Sequence, residues 1–96
     1  MSPPLGPKVN RVVQSKPFKK SLETLPLNAR HELQKLAREM KVGEYSNSRH
    51  LKKRHGRKRN KPKLWQARLD RNYRVTFEFK DGVATMKNVG PHKMFD

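Results

Sequence analysis

The chain has no cysteine among its 96 residues, which excludes disulfide bridges, thiolate metal sites and cysteine nucleophiles. Acids are scarce: 8 Asp and Glu stand against 24 Lys and Arg, a formal net charge of +16. A field of that sign draws nucleic acid, an acidic protein or an anionic membrane surface. No apolar run approaches the roughly 18 to 20 residues of a spanning helix, so no membrane-embedded role is expected. The opening MSPPLGPKVN lacks the apolar core of a signal peptide, and with the missing cysteine this gives the expectation of a cytoplasmic chain. The five glycines are scattered and form no GxxxxGK loop, so no nucleotide cofactor is expected. None of Ser2, Ser15, Ser21, Ser46 and Ser48 falls on a strand-to-helix elbow that would expose a nucleophile.

What is present is period. Tyr73, Val75, Phe77 and Phe79 alternate with Arg74, Thr76, Glu78 and Lys80, the pattern of a half-buried strand. Trp65, Ala67 and Leu69 alternate in the same way with Leu64, Gln66 and Arg68. Asp70-Arg71-Asn72 reads as the loop between them, with Asn72 able to take positive φ. This register opposes Leu69 to Tyr73 and sets Arg68 against Arg74 on the polar face. Like charges in that position repel, which suits a site prepared for phosphate. Asp81-Gly82 signals a tight hairpin that returns as a strand over residues 83–89, with Val83, Thr85, Lys87 and Val89 outward. Gly90-Pro91 is expected to break the ladder, and His92 to leave the sheet near Arg74.

The remainder supplies the other layer. Residues 1–7 read as an extended tail and 8–14, with Val9, Val12 and Val13, as an edge strand. Ser15 and Pro17 open a helix with an apolar stripe at Phe18, Leu22 and Leu25. Pro26 starts a second helix over 27–40 with Ala29, Leu33, Leu36, Ala37 and Met40 inward, and Gly43 stops it. Residues 43–62 lose period and read as a basic loop with a short helical turn around 48–54. The expectation is a single α+β domain over residues 8–96, an N-terminal strand and a two-helix hairpin packed on a mainly antiparallel four-stranded sheet.

Residues 52–63 hold eight basic side chains and no acid, which leaves sixteen basic against eight acidic residues elsewhere. Lys52, Lys53, Arg54, His55, Arg57, Lys58, Arg59, Lys61 and Lys63, with outward Lys87 in the sheet, are the candidate RNA-binding residues. A solvated run is the plainer reading of the loop, but with so few acids to neutralise it phosphate contact is favoured. Trp65 and Tyr73 fall on the core side and read as packing. His50 and His55, five apart in the basic loop, have no carboxylate or thiol at ligand spacing, so no metal site is expected, and His31 reads as a residue on the solvent side of its helix.

Acid-base chemistry on a phosphodiester remains, because RNA carries its own 2′-hydroxyl nucleophile. His92, with an ordinary pKa of about 6.5, suits either proton role. Arg74 and Arg68 suit the phosphate through forked donors. The competing reading is backbone positioning without chemistry, and on the residues alone it ranks somewhat higher.

With those residues in place, the chain resembles the bacterial and archaeal RelE/ParE superfamily of toxin-antitoxin toxins from about Val9 to Phe95. The resemblance rests on Leu25-Pro26 after the first helix, the leucine-rich second helix, Leu51-Lys52, and LWQARLDRNYRVTFEF followed by DG and NVGPH. It implies a ribosome-dependent mRNA endonuclease that cuts codons in the ribosomal 30S A site and is held inactive by a cognate antitoxin. It also implies catalytic roles for Arg74 of the YRV motif and for His92, with Arg68 similar to a common arginine of the preceding strand. Several members place a tyrosine a few residues after the last strand; this chain has Phe95, so His92 carries more of the proton transfer. Lys52, Lys53 and His55 match only a variable loop. The superfamily also includes gyrase poisons, which lack the ribonuclease residues, and a non-catalytic RNA- or ribosome-binding module is the remaining alternative.

Overall fold

The computed structural model describes residues 6–54 and 63–95. Strand β1 (Arg11–Gln14) leads into helix α1 (Lys16–Leu22) and helix α2 (Leu27–Val42), followed by a 3-10 turn (Asn47–Arg49), strand β2 (Lys52–Arg54), strand β3 (Lys63–Arg68), strand β4 (Tyr73–Lys80), strand β5 (Val83–Pro91) and a second 3-10 turn (His92–Phe95). The described strands form one sheet in the order β1-β5-β4-β3-β2. β1 runs parallel to β5, and every other pairing is antiparallel. The expected α+β architecture is present, with one strand more than the expected four.

Local chemistry accounts for the helical layer. Ser15 caps α1: its Oγ accepts from Phe18 N at 3.2 Å and donates to Lys87 O at 3.2 Å, tying the helix start to β5. Pro17 occupies the first turn, where no amide donor is required. Gly43 ends α2 at φ 83°, its N–H on Glu39 O at 2.8 Å. A Cβ there would lie 3.2 Å from Lys8 Cβ. Gly43→Ala is therefore expected to cost about 1 to 2 kcal/mol, the penalty of a left-handed L-residue, measured as a lower denaturation midpoint with unchanged m-value.

The core joins Val9, Phe18, Leu25, Ala29, Leu36, Met40 and Tyr45 to Ala67, Leu69, Val75, Phe77, Ala84, Met86 and Val89 of the sheet side. Leu22, Leu33, Trp65, Tyr73 and Phe79 pack against it half-buried. Of the expected tail, residues 1–5 lie outside the described residues, whereas Gly6 and Pro7 are packed. Gly6 N–H donates to Gly43 O at 3.1 Å, and Tyr45 Oη donates to Pro7 O at 2.6 Å. Burial, then the nearby Glu39 charge, pushes the Tyr45 hydroxyl far above its ordinary range, so it remains a donor.

Three expectations are corrected. Asn72 does not take positive φ; among the described non-glycine residues only His50 and Asp81 do. The loop is closed instead by Asp70, whose Oδ1 accepts from Asn72 N and Tyr73 N, both at 2.8 Å, an Asx turn that spares the backbone a left-handed residue. In β5, Met86 pairs with Phe77 and Asn88 with Thr76, so Lys87 is the extra residue of a bulge. The bulge inverts the following alternation: Val89, expected outward, pairs with Val75 and is 1 % exposed. The ladder also continues through Gly90-Pro91. Tyr73 pairs with Pro91, and His92 N–H donates to Asn72 O at 2.8 Å. In an antiparallel ladder that bond turns the neighbouring nitrogen, that of Pro91, away from β4. β1 pairs only as far as Met86, so no strand needs an amide at Pro91.

Two short elements are described within the expected basic loop. Its helical turn is the 3-10 turn Asn47–Arg49, and Lys52–Arg54 is a strand on the edge of β3. Lysines at such an edge discourage strand addition from another chain.

Candidate functional site

Arg68 and Arg74 are cross-strand partners, and Arg74 is paired on its other side with Gly90. The inferred register therefore holds, and it exists because a three-residue loop clamped by one carboxylate leaves Leu69 N–H on Tyr73 O at 2.9 Å. Gly90 is buried, and having no side chain it leaves the row beyond Arg74 open. Asn72 O, one step further along, receives the His92 amide. The two arginines and the histidine thus meet at one end of the sheet.

Electrostatics separates this end from the rest of the face. The Arg68 guanidinium donates through Nε to Asp70 O at 3.1 Å. Among the described residues no carboxylate pairs with Arg68 or Arg74; the ion pairs are Lys35–Glu32, Arg49–Glu32, Arg49–Glu39 and Lys87–Glu78. Two like charges held opposite one another without an acid are relieved by an incoming anion. Next to them the floor is polar and closed: Gln66 pairs with Thr76, and they are 7 % and 3 % exposed. His92 is exposed.

The RNA-binding candidates divide by strand parity. Lys52 pairs with Gln66, which sets it in the row beside the arginines. Lys53 pairs with Trp65, and Lys63 with Phe79, so these two lie on the opposite face of the sheet. There the neighbouring Lys63 lowers the Lys53 pKa, the mark of two cations held close. Lys87 is in the bulge, 3.8 Å from Glu78. Arg54 pairs with Leu64. His55, Arg57, Lys58, Arg59 and Lys61 lie outside the described residues, as does the side chain of Phe95. No cluster of three potential metal-ligating side chains occurs among the described residues, and no described helix is long and apolar enough to cross a membrane.

Two residues went unread in the sequence. Asp70 is one; its signal was available, since Asp before Arg-Asn is an Asx-turn opening. Arg49 is the other, 2 % exposed although charged. As one of 24 basic residues it carried no signal.

A helical hairpin packed on one face of a sheet ordered β1-β5-β4-β3-β2 is the RelE/ParE fold. The archaeal RelE–RelB complex from Pyrococcus horikoshii OT3 is similar to this chain at 25 % identity, with 84 % of this chain and 92 % of that one covered and a TM-score of 0.63. The Escherichia coli DinJ–YafQ toxin-antitoxin complex matches at 12 % identity, 86 % and 92 % coverage and a TM-score of 0.67. The RelB–RelE antitoxin-toxin complex from Methanococcus jannaschii matches at 18 % identity, 86 % and 93 % coverage and a TM-score of 0.62. No family model matches the chain, and no curated protein matches it in sequence.

Proposed function

We propose that this protein is the toxin of a toxin-antitoxin pair and that it cleaves mRNA on the ribosome without a metal. The observation that carries the reading is the meeting of Arg68, Arg74 and His92 at one end of the sheet, on a fold whose solved relatives include toxins in antitoxin complexes. The 2′-hydroxyl attacks the adjacent phosphorus while its proton passes to a base. The bond from phosphorus to the 5′-oxygen breaks, and that oxygen takes a proton from an acid. The products are a 2′,3′-cyclic phosphate and a free 5′-hydroxyl. His92 moves one of these protons, and Arg74 and Arg68 stabilise the phosphorane charge through planar donors. Phe95 offers no phenolic proton, which places the greater share on His92.

Lys52 and the basic residues around it hold the RNA backbone in a salt-dependent, largely sequence-blind way. The partners are the ribosome with its mRNA in the 30S A site, and an antitoxin with an acidic segment complementary to the +16 charge. The setting is the cytoplasm. Mapping the ends of mRNA cut on programmed ribosomes tests the chemistry: cyclic-phosphate and 5′-hydroxyl ends are expected. 5′-Phosphate ends, which attack by a metal-activated water would leave, overturn metal-free transesterification.

A further inference from the structure

Arg49 is a buried cation that the reaction above does not use. From the 3-10 turn its Nε donates to Glu39 Oε1 and Oε2, both at 3.2 Å, and its Nη2 to Glu39 Oε2 at 3.0 Å. Its Nη1 reaches Glu32 Oε1 at 3.2 Å, Leu69 O at 3.3 Å and Arg68 O at 3.4 Å. Both acids belong to α2, and both carbonyls lie where β3 passes into the Asp70 loop. Burial would raise the Glu32 carboxyl, but a hydrogen bond from Lys35 and the charges of Arg49 and Lys35 outweigh it and hold it below its ordinary range. Glu32 is therefore ionised at neutral pH.

Apolar side chains of similar volume in place of Arg49 and its two acids together would cost little, since a buried ion pair contributes little net stability. What they would not do is set distance and angle. A guanidinium has fixed donor directions, and here it joins α2 to the carbonyl groups of Arg68 and its neighbour. From that point the connections are short: Arg68 Nε bonds Asp70 O, Asp70 Oδ1 clamps Asn72 N and Tyr73 N, and Asn72 O takes the His92 amide.

We propose that Arg49 is a positioning residue, which fixes the Arg68 end of β3 and, through the Asp70 loop, the place of His92 relative to Arg74. The effect on rate rests on the cleavage reading above; the geometric link does not. Arg49→Lys keeps the buried charge and loses the planar fork. In the full chain on programmed ribosomes we expect kcat to fall about 10- to 100-fold, the scale of a small misplacement of reacting groups, with KM changed less than about 2-fold.

The amide resonances of Leu69, Asp70, Asn72 and His92 should shift in the same variant, while those of Val83 and Ala84 at the far end stay in place. Glu32→Gln, which weakens the anchor of the nitrogen that holds the two carbonyls, should give the same pattern at smaller size and serves if Arg49→Lys does not fold. Lys35→Ala, which removes only the exposed partner of Glu32, should leave kcat and all these amides unchanged. Wild-type kcat in folded Arg49→Lys, a kcat loss without the amide shifts, or a rise in KM alone overturns the proposal. If the wild-type chain cuts no mRNA, the cleavage reading fails by itself, and the amide shifts alone decide whether Arg49 sets this geometry.

Discussion

His92→Ala and Arg74→Ala are each expected to slow mRNA cleavage at least about 100-fold, the lower range for loss of an acid-base group or of a charge-stabilising donor. The two should differ in kind. His92 attaches to the hairpin through its backbone amide, which alanine keeps, so this variant should keep that attachment and its RNA affinity while losing the proton transfer. Arg74 supplies charge as well as donor geometry, so Arg74→Ala should also weaken phosphate binding. Arg74→Lys, which keeps the charge, should recover affinity better than rate. Single-turnover cleavage on programmed ribosomes, beside filter binding of RNA, separates these effects. Undiminished cleavage in both alanine variants removes the site assignment. Growth inhibition that survives His92→Ala but disappears when the basic residues around Lys52 are neutralised identifies a non-catalytic RNA binder. An effect on DNA supercoiling without ribosome binding identifies a gyrase poison.

Phe77→Ala is expected to destabilise the fold by about 3 to 5 kcal/mol, the range for truncating a buried aromatic to alanine. Phe77 is fully buried and pairs with Trp65 on one side and Met86 on the other, at the point where the β5 bulge begins. The surroundings cannot close over the lost ring, because strand pairings on both sides hold their backbone apart. Against the roughly 5 to 15 kcal/mol available to a small domain, the loss leaves a chain that is partly unfolded near physiological temperature. Chemical denaturation followed by tryptophan fluorescence measures it, since Trp65 is the direct neighbour; a change below about 1 kcal/mol would mean that the site repacks.

The parts of this molecule that could be read in advance are those where one short rule decides the outcome. The Arg68–Arg74 pairing followed from alternation on both sides of a three-residue loop, and the Asp81-Gly82 turn from a dipeptide that accepts positive φ at both positions. The observed values of 51° and 80° are what a two-residue hairpin requires. The helix boundaries at Ser15, Pro17 and Gly43 followed in the same way from side-chain oxygen, fixed φ and missing Cβ. Alternation misassigned Val89 because a bulge adds one residue without leaving a local mark, and every later side chain then changes face.

Lys52–Arg54 looked like loop because a three-residue strand has too little length to show a period; it is a strand because β3 offers it an open edge. Charge composition pointed to an anionic partner and could not say that one of the cations, Arg49, is held inside by two glutamates 17 and 10 residues before it. The sequence by itself determined the two layers, the hairpin register and the chemical types gathered on the polar face, since propensity, periodicity and turn chemistry act over a few neighbouring residues. Only the tertiary structure decided that His92 joins the hairpin through Asn72, that Lys53 and Lys63 face away from Lys52, and that Arg49 is buried. Each of these depends on hydrogen bonds and burial between segments far apart in the chain, whose free energy exists only once the sheet and α2 have come together.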